Sequence, residues 1–291
     1  MNYLYYPGCS LTTSAREYDL ATRTIMAAVG AELTPIDGWT CCGASAAAPI
    51  SHLLALSLSA RNLALAERIE PEGQILVPCS ACYLNLKKAR TRLRNDPAIR
   101  TDIKEVLAAV DLTVDGHVRV RHLLDVLTVD LGPARLLERV SRSLCGLTVA
   151  PYYGCQCLRP FVEFDDPERP VSMEPLIAAT GADIHRWEMG ARCCGASLVS
   201  TQPDAGLKRV AAILKAAKGA DLIVTVCPMC QMNLDAWQAK ASHTAGEDLS
   251  ITVLYLPQLL GLALGMAHAE LGLNLNLAVL DGFREKIGQS R

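Results

Sequence analysis

Ten of the twelve cysteines in this chain fall into one pattern that is used twice. The segment Cys41-Cys42-Gly43-Ala44-Ser45 recurs as Cys193-Cys194-Gly195-Ala196-Ser197. Each copy has a single cysteine upstream, Cys9 or Cys155, and a CxxC downstream, Cys79/Cys82 or Cys227/Cys230. Vicinal cysteines do not readily close a relaxed disulfide on each other, but as thiolates they can reach neighbouring metal atoms. The glycine that follows lets backbone pass close to inorganic atoms. The pattern points to a metal cluster in each half.

Four uses of these thiols compete, and ligand number separates them. Structural zinc takes four ligands, so five thiols per half over-supply it, and the gaps here are far longer than in compact zinc ribbons. A thioredoxin-type CxxC, suggested by Cys227-Pro228-Met229-Cys230, accounts for two cysteines and ignores the vicinal pairs. A cubane 4Fe–4S cluster again takes four cysteines. A cluster that departs from the cubane can use five, some of them bridging two irons, and an adjacent pair suits that shape.

The elements that must carry these residues read as an α/β chain. Residues 2–6 form a short apolar strand ending at Pro7-Gly8, and Ser14 caps a helix running towards Gly30. Cys9 falls on the connection. A strand over 32–36 leads to the first vicinal pair, a helix over 47–69 follows, and a strand over 74–77 ends at Pro78-Cys79, with Cys82 one turn into the next helix. The second half retraces this path. It has a strand over 147–152, Cys155, a helix ending near Gly181, a strand over 184–187, Cys193-Cys194, a helix over 204–217, and a strand over 221–226 running into the second CxxC. Tyr5-Tyr6-Pro7-Gly8-Cys9 echoes Tyr152-Tyr153-Gly154-Cys155, and Asn85-Leu86 echoes Asn233-Leu234. The cysteines thus lie at strand ends and helix N-termini, where open α/β sheets place ligands and where helix dipoles favour anionic groups. The duplication sets a boundary near residues 141–146, giving domains 1–143 and 144–291.

The rest of the chain narrows the function. With 28 Lys and Arg against 30 Asp and Glu, the net charge of −2 provides no general attraction to nucleic acid, and no aromatic-studded basic motif is present. The first ten residues lack the features of a secretory signal, so a cytoplasmic protein is expected, in which twelve cysteines serve metal or redox chemistry rather than disulfides. The uncharged run 251–269, interrupted by Pro257, Gly261 and Gly265, reads as strand, turn and buried helix, so no membrane span is expected. No GxGxxG follows a strand and no P-loop occurs, so neither nucleotide nor flavin is expected in this chain. Residues 87–104 hold seven basic and two acidic side chains, read as a solvated face rather than a docking patch for an acidic partner. No two histidines are spaced as metal ligands. His52 alone, ten residues past Cys42, stands near the motif, and a solvated or core-satisfied role is expected for it.

The order C, long gap, CCG, long gap, CxxC, given twice across the whole chain, resembles the CCG-domain (cysteine-rich domain) family. Within that family it is most similar to the heterodisulfide reductase B subunits, including those of bacterial sulfur-oxidising heterodisulfide reductase-like complexes. The resemblance implies two tandem, pseudo-symmetric α/β domains that hold two non-cubane 4Fe–4S clusters. Carried over residue by residue, it assigns Cys9, Cys41, Cys42, Cys79 and Cys82 to one cluster and Cys155, Cys193, Cys194, Cys227 and Cys230 to the other. It implies a catalytic subunit that cleaves or forms a disulfide, or oxidises a carrier-bound sulfur substrate, in a cavity shared by the clusters. The clusters themselves then do the chemistry and no side chain is singled out as catalytic. Thiol–disulfide exchange through a low-pKa cysteine is the alternative route. Electrons are implied to pass through a ferredoxin-like iron–sulfur subunit (C-type), with a flavin-bearing subunit (A-type) beyond it. Coenzyme M–coenzyme B heterodisulfide, a lipoyl-bound dithiol and other sulfur carriers are the candidate substrates. A second function is a non-catalytic iron–sulfur electron-transfer subunit of a dehydrogenase complex, although relatives of that kind commonly carry extra ferredoxin motifs, and none is visible here.

Two departures bear on the second site. The gap from Cys194 to Cys227 is four residues shorter than that from Cys42 to Cys79, read as a trimmed helix or loop. Cys157 lies two residues past Cys155 and is the alternative ligand there, the Tyr-Tyr echo favouring Cys155. Cys145 reads as a small core hydrophobe. Because the ligand sets are separate, Cys193→Ser or Cys194→Ser is expected to remove the C-terminal cluster's electron paramagnetic resonance signal and leave the N-terminal one. Loss of both signals from folded protein would show that ligands are exchanged between the halves.

Overall fold

A computed structural model describes residues 1–44 and 46–289, so Ser45 of the first repeated motif lies outside the described residues. The first half runs β1 (Asn2–Tyr5), α1 (Gly8–Thr12), α2 (Arg16–Ala28), β2 (Glu32–Pro35), α3 (His52–Ile69), β3 (Gln74–Val77), α4 (Ser80–Asn95), α5 (Pro97–Ala108) and β4 (Arg119–His122). Its four strands form a parallel sheet in the order β2-β1-β3-β4. Tyr3, Leu4 and Tyr5 of β1 and Ile75, Leu76 and Val77 of β3 are buried, as central strands of a parallel sheet must be when helices cover both faces. The edge strand β2 is largely exposed.

The chain continues through α6 (Leu123–Asp125), a π-helical stretch (Val126–Leu131) and α7 (Gly132–Leu137) before the pattern repeats. It then runs β5 (Thr148–Tyr152), α8 (Met173–Ala179), β6 (Asp183–Ile184), α9 (Ala196–Val199), α10 (Pro203–Ala216), β7 (Leu222–Thr225), α11 (Pro228–Ala236), α12 (Gln238–Ala245), β8 (Thr252–Tyr255), α13 (Leu256–Ala263), a 3-10 turn (Leu273–Leu275) and α14 (Asp281–Gln289). The second sheet has the order β6-β5-β7-β8, again all parallel. Registers agree as well: Leu4 and Tyr5 face Ile75 and Leu76 in the first sheet, and Ala150 and Pro151 face Ile223 and Val224 in the second. The fold is therefore two tandem, pseudo-symmetric α/β sheets. α10 has fourteen residues where α3 has eighteen, so the shorter gap before the second CxxC is a helix trimmed by about one turn.

Packing groups the chain by contact rather than by repeat. One compact unit comprises Met1–Ser14 and Met26–Leu123, and the other Ala15–Ile25 and Leu124–Arg291. Most of α2, although encoded in the first repeat, thus completes the second unit. There the Tyr18 ring stacks on Tyr255 with centroids 4.0 Å apart and planes within 5°. Its hydroxyl donates to the Val226 carbonyl (3.2 Å), one residue before Cys227. Thr24 donates to the Glu270 carbonyl at 3.3 Å.

Several expectations are revised by local chemistry. The helix expected from residue 47 starts at His52, because Ser51 takes the N-cap and accepts the Leu54 N–H (3.3 Å). The helix expected after Cys155 is confined to α8. The stretch before it is an irregular loop in which Asp165 and Asp166 accept backbone N–H groups of residues 166–172. Cys9 sits in the short helix α1 rather than in a loop. Cys145 is exposed, not core. The strand β4 was not apparent in sequence, since its Arg-Val-Arg-His alternation carries charges. The basic run 87–104 is only partly a solvated face. Lys87 is buried, Arg90 donates to the Val118 carbonyl (2.7 Å), and Arg100 caps the end of α4 through the Leu93 and Arg94 carbonyls. Of the run 251–269, the expected strand and buried helix are present as β8 and α13, but they join directly and the turn falls after the helix, and among the described residues no helix is long and apolar enough to cross a membrane.

The stacked Tyr18 is fully buried. Tyr18→Ala should therefore destabilise the second unit by about 3–5 kcal/mol, read as a lower urea midpoint with unchanged slope. A shift below about 1 kcal/mol would show that this segment does not hold the second core.

Candidate metal centre

In a doubly wound parallel sheet, ligands collect at the C-terminal strand ends where the chain order reverses. That point lies between β1 and β3 in the first sheet and between β5 and β7 in the second. Cys9 follows β1, Cys41 and Cys42 follow β2, and Cys79 and Cys82 follow β3. Cys155, Cys193-Cys194 and Cys227/Cys230 follow β5, β6 and β7 in the same way. Cys79 and Cys227 are the N-cap residues of α4 and α11, and neither thiol is used to cap its helix. The positive helix end therefore faces the sulfur group, which favours thiolates.

The structure brings each set of five together with one pairing scheme. In the first, Cys9 Sγ is 3.8 Å from Cys41 Sγ, Cys42 Sγ is 3.4 Å from Cys82 Sγ, and Cys79 is hydrogen-bonded to Cys82. In the second, Cys155 is hydrogen-bonded to Cys193, Cys194 Sγ is 3.7 Å from Cys230 Sγ, and Cys227 is hydrogen-bonded to Cys230. All twelve cysteines are free thiols. In each set the second vicinal cysteine and both CxxC thiols are buried, while Cys41 and Cys193 are exposed. Each set thus has a dry interior side and one open side.

Two clamps hold the loops that bear the vicinal pairs. The Tyr6 hydroxyl donates to the Thr40 carbonyl (2.7 Å), and the Tyr152 hydroxyl donates to the Arg192 carbonyl (2.6 Å), in each case one residue before the pair. The Asn85 side-chain amide donates to the Ala44 carbonyl (2.8 Å) and the Cys42 carbonyl (3.4 Å). Asn233 donates to the Cys194 carbonyl at 2.8 Å. In the first half Asn62 adds a third clamp, accepting the Thr40 N–H and donating to its carbonyl. The structural counterpart of Tyr6 is Tyr152, so Tyr153 stands where the first half has Pro7. The Tyr-Tyr echo is thus offset by one residue. Tyr153 instead bonds Glu174 and accepts the Met173 N–H at the start of α8.

Glycines leave room for the sulfurs. A Cβ on Gly8, at φ +73°, would lie 2.8 Å from Cys82 Sγ, and one on Gly154, at φ +72°, 2.8 Å from Cys230 Sγ. No side chain fits there without moving a thiol. The same correspondence aligns Cys9 with Cys155. Cys157, by contrast, is buried and its thiol meets the Tyr153 carbonyl at 3.3 Å.

Crowding governs the titration of these groups. Cys42 is drawn well below the usual thiol range by hydrogen bonds from Cys41 and Cys82, helped by the Ala44 N–H and Asn85. Cys41 and Cys82 are pushed up, chiefly because they donate to Cys42. In the second set Cys193 is lowered by a hydrogen bond from Cys155, with the Gly195 N–H and the cations Arg209 and Arg159 contributing. Cys155 and Cys230 are raised, first by hydrogen bonding to Cys193 and Cys194. In each set one thiol thus ionises at the expense of the neighbours that donate to it, and a cationic metal group would relieve that competition. The donor set, the glycine cradles and the dry interior fit a thiolate-bound iron–sulfur group. Among the described residues no three His, Cys, Asp or Glu side chains gather as tightly as a single ion requires. His52 is an exposed residue at the start of α3 and takes no part in the sulfur contacts described above.

Comparison with known proteins places this geometry. The family described as "Cysteine-rich domain" (CCG) matches residues 3–87 and 149–235. The chain is 37% identical over 279 residues to the 8-methylmenaquinol:fumarate reductase membrane anchor subunit of Wolinella succinogenes, covering 94% of this chain and 96% of that one. It is 31% identical to a protein of Archaeoglobus profundus named as like the B subunit of heterodisulfide reductase, covering 91% of each. It is also 31% identical to the B subunit of the ferredoxin:CoB-CoM heterodisulfide reductase of Methanosarcina mazei, covering 96% of this chain and 95% of that one. A solved structure of a hypothetical protein from Helicobacter pylori superposes with a TM-score of 0.76 at 16% identity. It matches 97% of this chain, which spans about half (52%) of that structure's length, and the likeness is one of fold.

Cys157→Ser is expected to keep iron content within about 10% of wild type, since its thiol hydrogen-bonds the Tyr153 carbonyl, a contact a serine hydroxyl can also make. Cys155→Ser should lose the second half's iron. The reverse outcome, read by iron and sulfide analysis, would place Cys157 in the ligand set.

Proposed function

Since this chain belongs to the cysteine-rich (CCG) domain family, we propose that it is the iron–sulfur subunit of a heterodisulfide reductase-like complex that breaks or forms a disulfide. The observation that carries this reading is the repetition of one five-thiol arrangement, with the same contacts, the same glycine cradle and the same tyrosine and asparagine clamps, in both sheets. Cys9, Cys41, Cys42, Cys79 and Cys82 hold one non-cubane 4Fe–4S cluster. Cys155, Cys193, Cys194, Cys227 and Cys230 hold the other. When bound, such clusters supply one-electron redox equivalents, so two of them match the two electrons of the reaction RSSR′ + 2e⁻ + 2H⁺ → RSH + R′SH.

The chain's own residues supply the remainder. The buried thiols anchor the group on its dry side, and the exposed Cys41 and Cys193 mark the side that a sulfur compound and water-borne protons can approach. Tyr6, Tyr152, Asn85 and Asn233 keep the vicinal loops from moving as charge changes. Burial and the neighbouring thiols push the Tyr6 and Tyr152 hydroxyls far above their usual range, so both remain neutral donors at any working pH. Electrons are exchanged with a ferredoxin-like partner, beyond which a flavin-bearing subunit stands, and the complex works in the cytoplasm.

The Wolinella relative, at 37% identity, favours a second reading: an electron-transfer subunit of a quinol- or fumarate-linked complex, without a disulfide substrate. The two differ in what oxidises the reduced chain. Anaerobically reconstituted protein should contain about eight irons and eight sulfides and little zinc. Reduced with a viologen dye, it should be reoxidised by small disulfides on mixing. Full iron with no response to any disulfide supports the electron-transfer reading, and iron near zero with about one or two zincs would sink both.

A further inference from the structure

The outer edges of the two sheets are closed differently. Along an edge strand of a parallel sheet, alternate residues bond inward to the neighbouring strand and those between them turn their N–H and C=O groups outward. In β2, Glu32 and Ile36 donate inward to the Met1 and Tyr5 carbonyls, so Leu33 and Pro35 face outward. In β6 and its continuation, Asp183 and His185 donate inward to the Leu147 and Val149 carbonyls, so Ile184 and Arg186 face outward. The matching registers make Arg186 the counterpart of Pro35. Proline has no N–H to offer, and on an edge strand it guards against the addition of another strand. The second edge has no such guard: among the described residues the N–H groups of Ile184 and Arg186 meet no acceptor.

That open edge lines a cavity of about 740 Å³. Ile184, His185, Arg186 and Trp187 follow one another along it, and a second run of consecutive residues, from Glu168 to Val171, also lines it. Two such runs with space between them make a slot shaped for an extended chain. Arg159 bonds the Pro167 carbonyl (3.1 Å) and the Ala191 carbonyl (2.6 Å), tying the loop before α8 to the loop after β6, so the slot is formed in advance. Its charge is uneven. Glu168 is paired with Arg159 at 2.7 Å, and burial holds the Glu174 carboxyl above its usual range, with Tyr153 donating to it. Arg169, Arg186 and Arg192 have no carboxylate within ion-pair distance among the described residues, which leaves three guanidinium groups against Glu188. Exposed Val171 and half-buried Trp187 add apolar surface.

We propose that this slot takes an acidic, extended segment of a partner polypeptide, which adds as a further strand to the second sheet by bonding the outward groups of Ile184 and Arg186. Main-chain bonds hold the segment, its carboxylates meet the arginines, and its apolar side chains pack on Val171 and Trp187. No thiol lines the slot, so a partner held here docks whatever the sulfur sites carry. The edge of the first sheet, closed at Pro35, takes no such segment.

The test is fluorescence anisotropy on the iron-loaded full chain, with a labelled short peptide of alternating valine and glutamate as probe. It should bind about tenfold or more tightly than the same peptide with lysine in place of glutamate, and the preference should shrink as salt is added. Arg169→Gln combined with Arg186→Gln should abolish that preference. Arg186→Pro, which copies the first half and removes the N–H with the charge, should weaken binding about tenfold beyond Arg186→Gln, which removes the charge alone. In the parent chain, the bound probe should slow hydrogen exchange at the Ile184 and Arg186 amides, a readout that needs no variant to fold. No binding at about 1 mM probe, equal binding of the two peptides, or binding without protection of those amides overturns the proposal.

Discussion

Five thiols gathered at one site cannot all ionise freely, because one thiolate raises its neighbours, and the architecture of this protein is a response to that constraint. The chain uses rigid strand ends and helix N-termini as mounts, so that sulfurs held 3.4–3.8 Å apart do not spread when charge is added. The hydroxyl of a buried tyrosine and the amide of an asparagine then pin the flanking carbonyls. A glycine is retained where any Cβ would displace a thiol. A cationic metal group would relieve the repulsion among thiolates held this close.

Duplication preserved those parts whose geometry leaves no freedom. Strand order, register, sulfur pairing, tyrosine clamp and cradle glycine are the same in both halves. Divergence lies in the vicinal loops' surroundings, partly at solvent-facing side chains. Leu58 gives way to Arg209, Asn62 clamps only the first loop, and the helix after the second vicinal pair is a turn shorter. A buried bonded group resists substitution because its loss leaves a partner unsatisfied, whereas an exposed wall residue changes at little cost to stability.

The second unit also draws on the start of the chain. Ala15–Ile25 belongs to it by contact, and Tyr18 supplies both an aromatic stack and a hydrogen bond to the residue before Cys227. A sequence repeat and a packing unit therefore need not coincide. The repeat records ancestry in the order of residues, while burial of apolar surface decides which helix completes which core.

Cysteine spacing alone announced two equivalent sulfur sites, and apolar runs flanked by Pro and Gly located six of the eight strands among the described residues well enough to put every thiol at a strand end or helix start. Those features were legible because they are local: a CxxC at a helix N-terminus or a strand of Ile75-Leu76-Val77 depends on neighbours a few residues away. The strand β4 hid behind its arginines, and β6 shrank to two residues, because edge strands are defined by their partners more than by their own composition. Only tertiary structure revealed that Tyr152 rather than Tyr153 is the counterpart of Tyr6, that Cys157 turns to the Tyr153 carbonyl, that Asn62 clamps Thr40, and that Arg209 stands beside Gly195. Each of these depends on which side chain reaches across a gap in space between segments distant in sequence, and the spacing of residues along a chain carries no direct record of that distance.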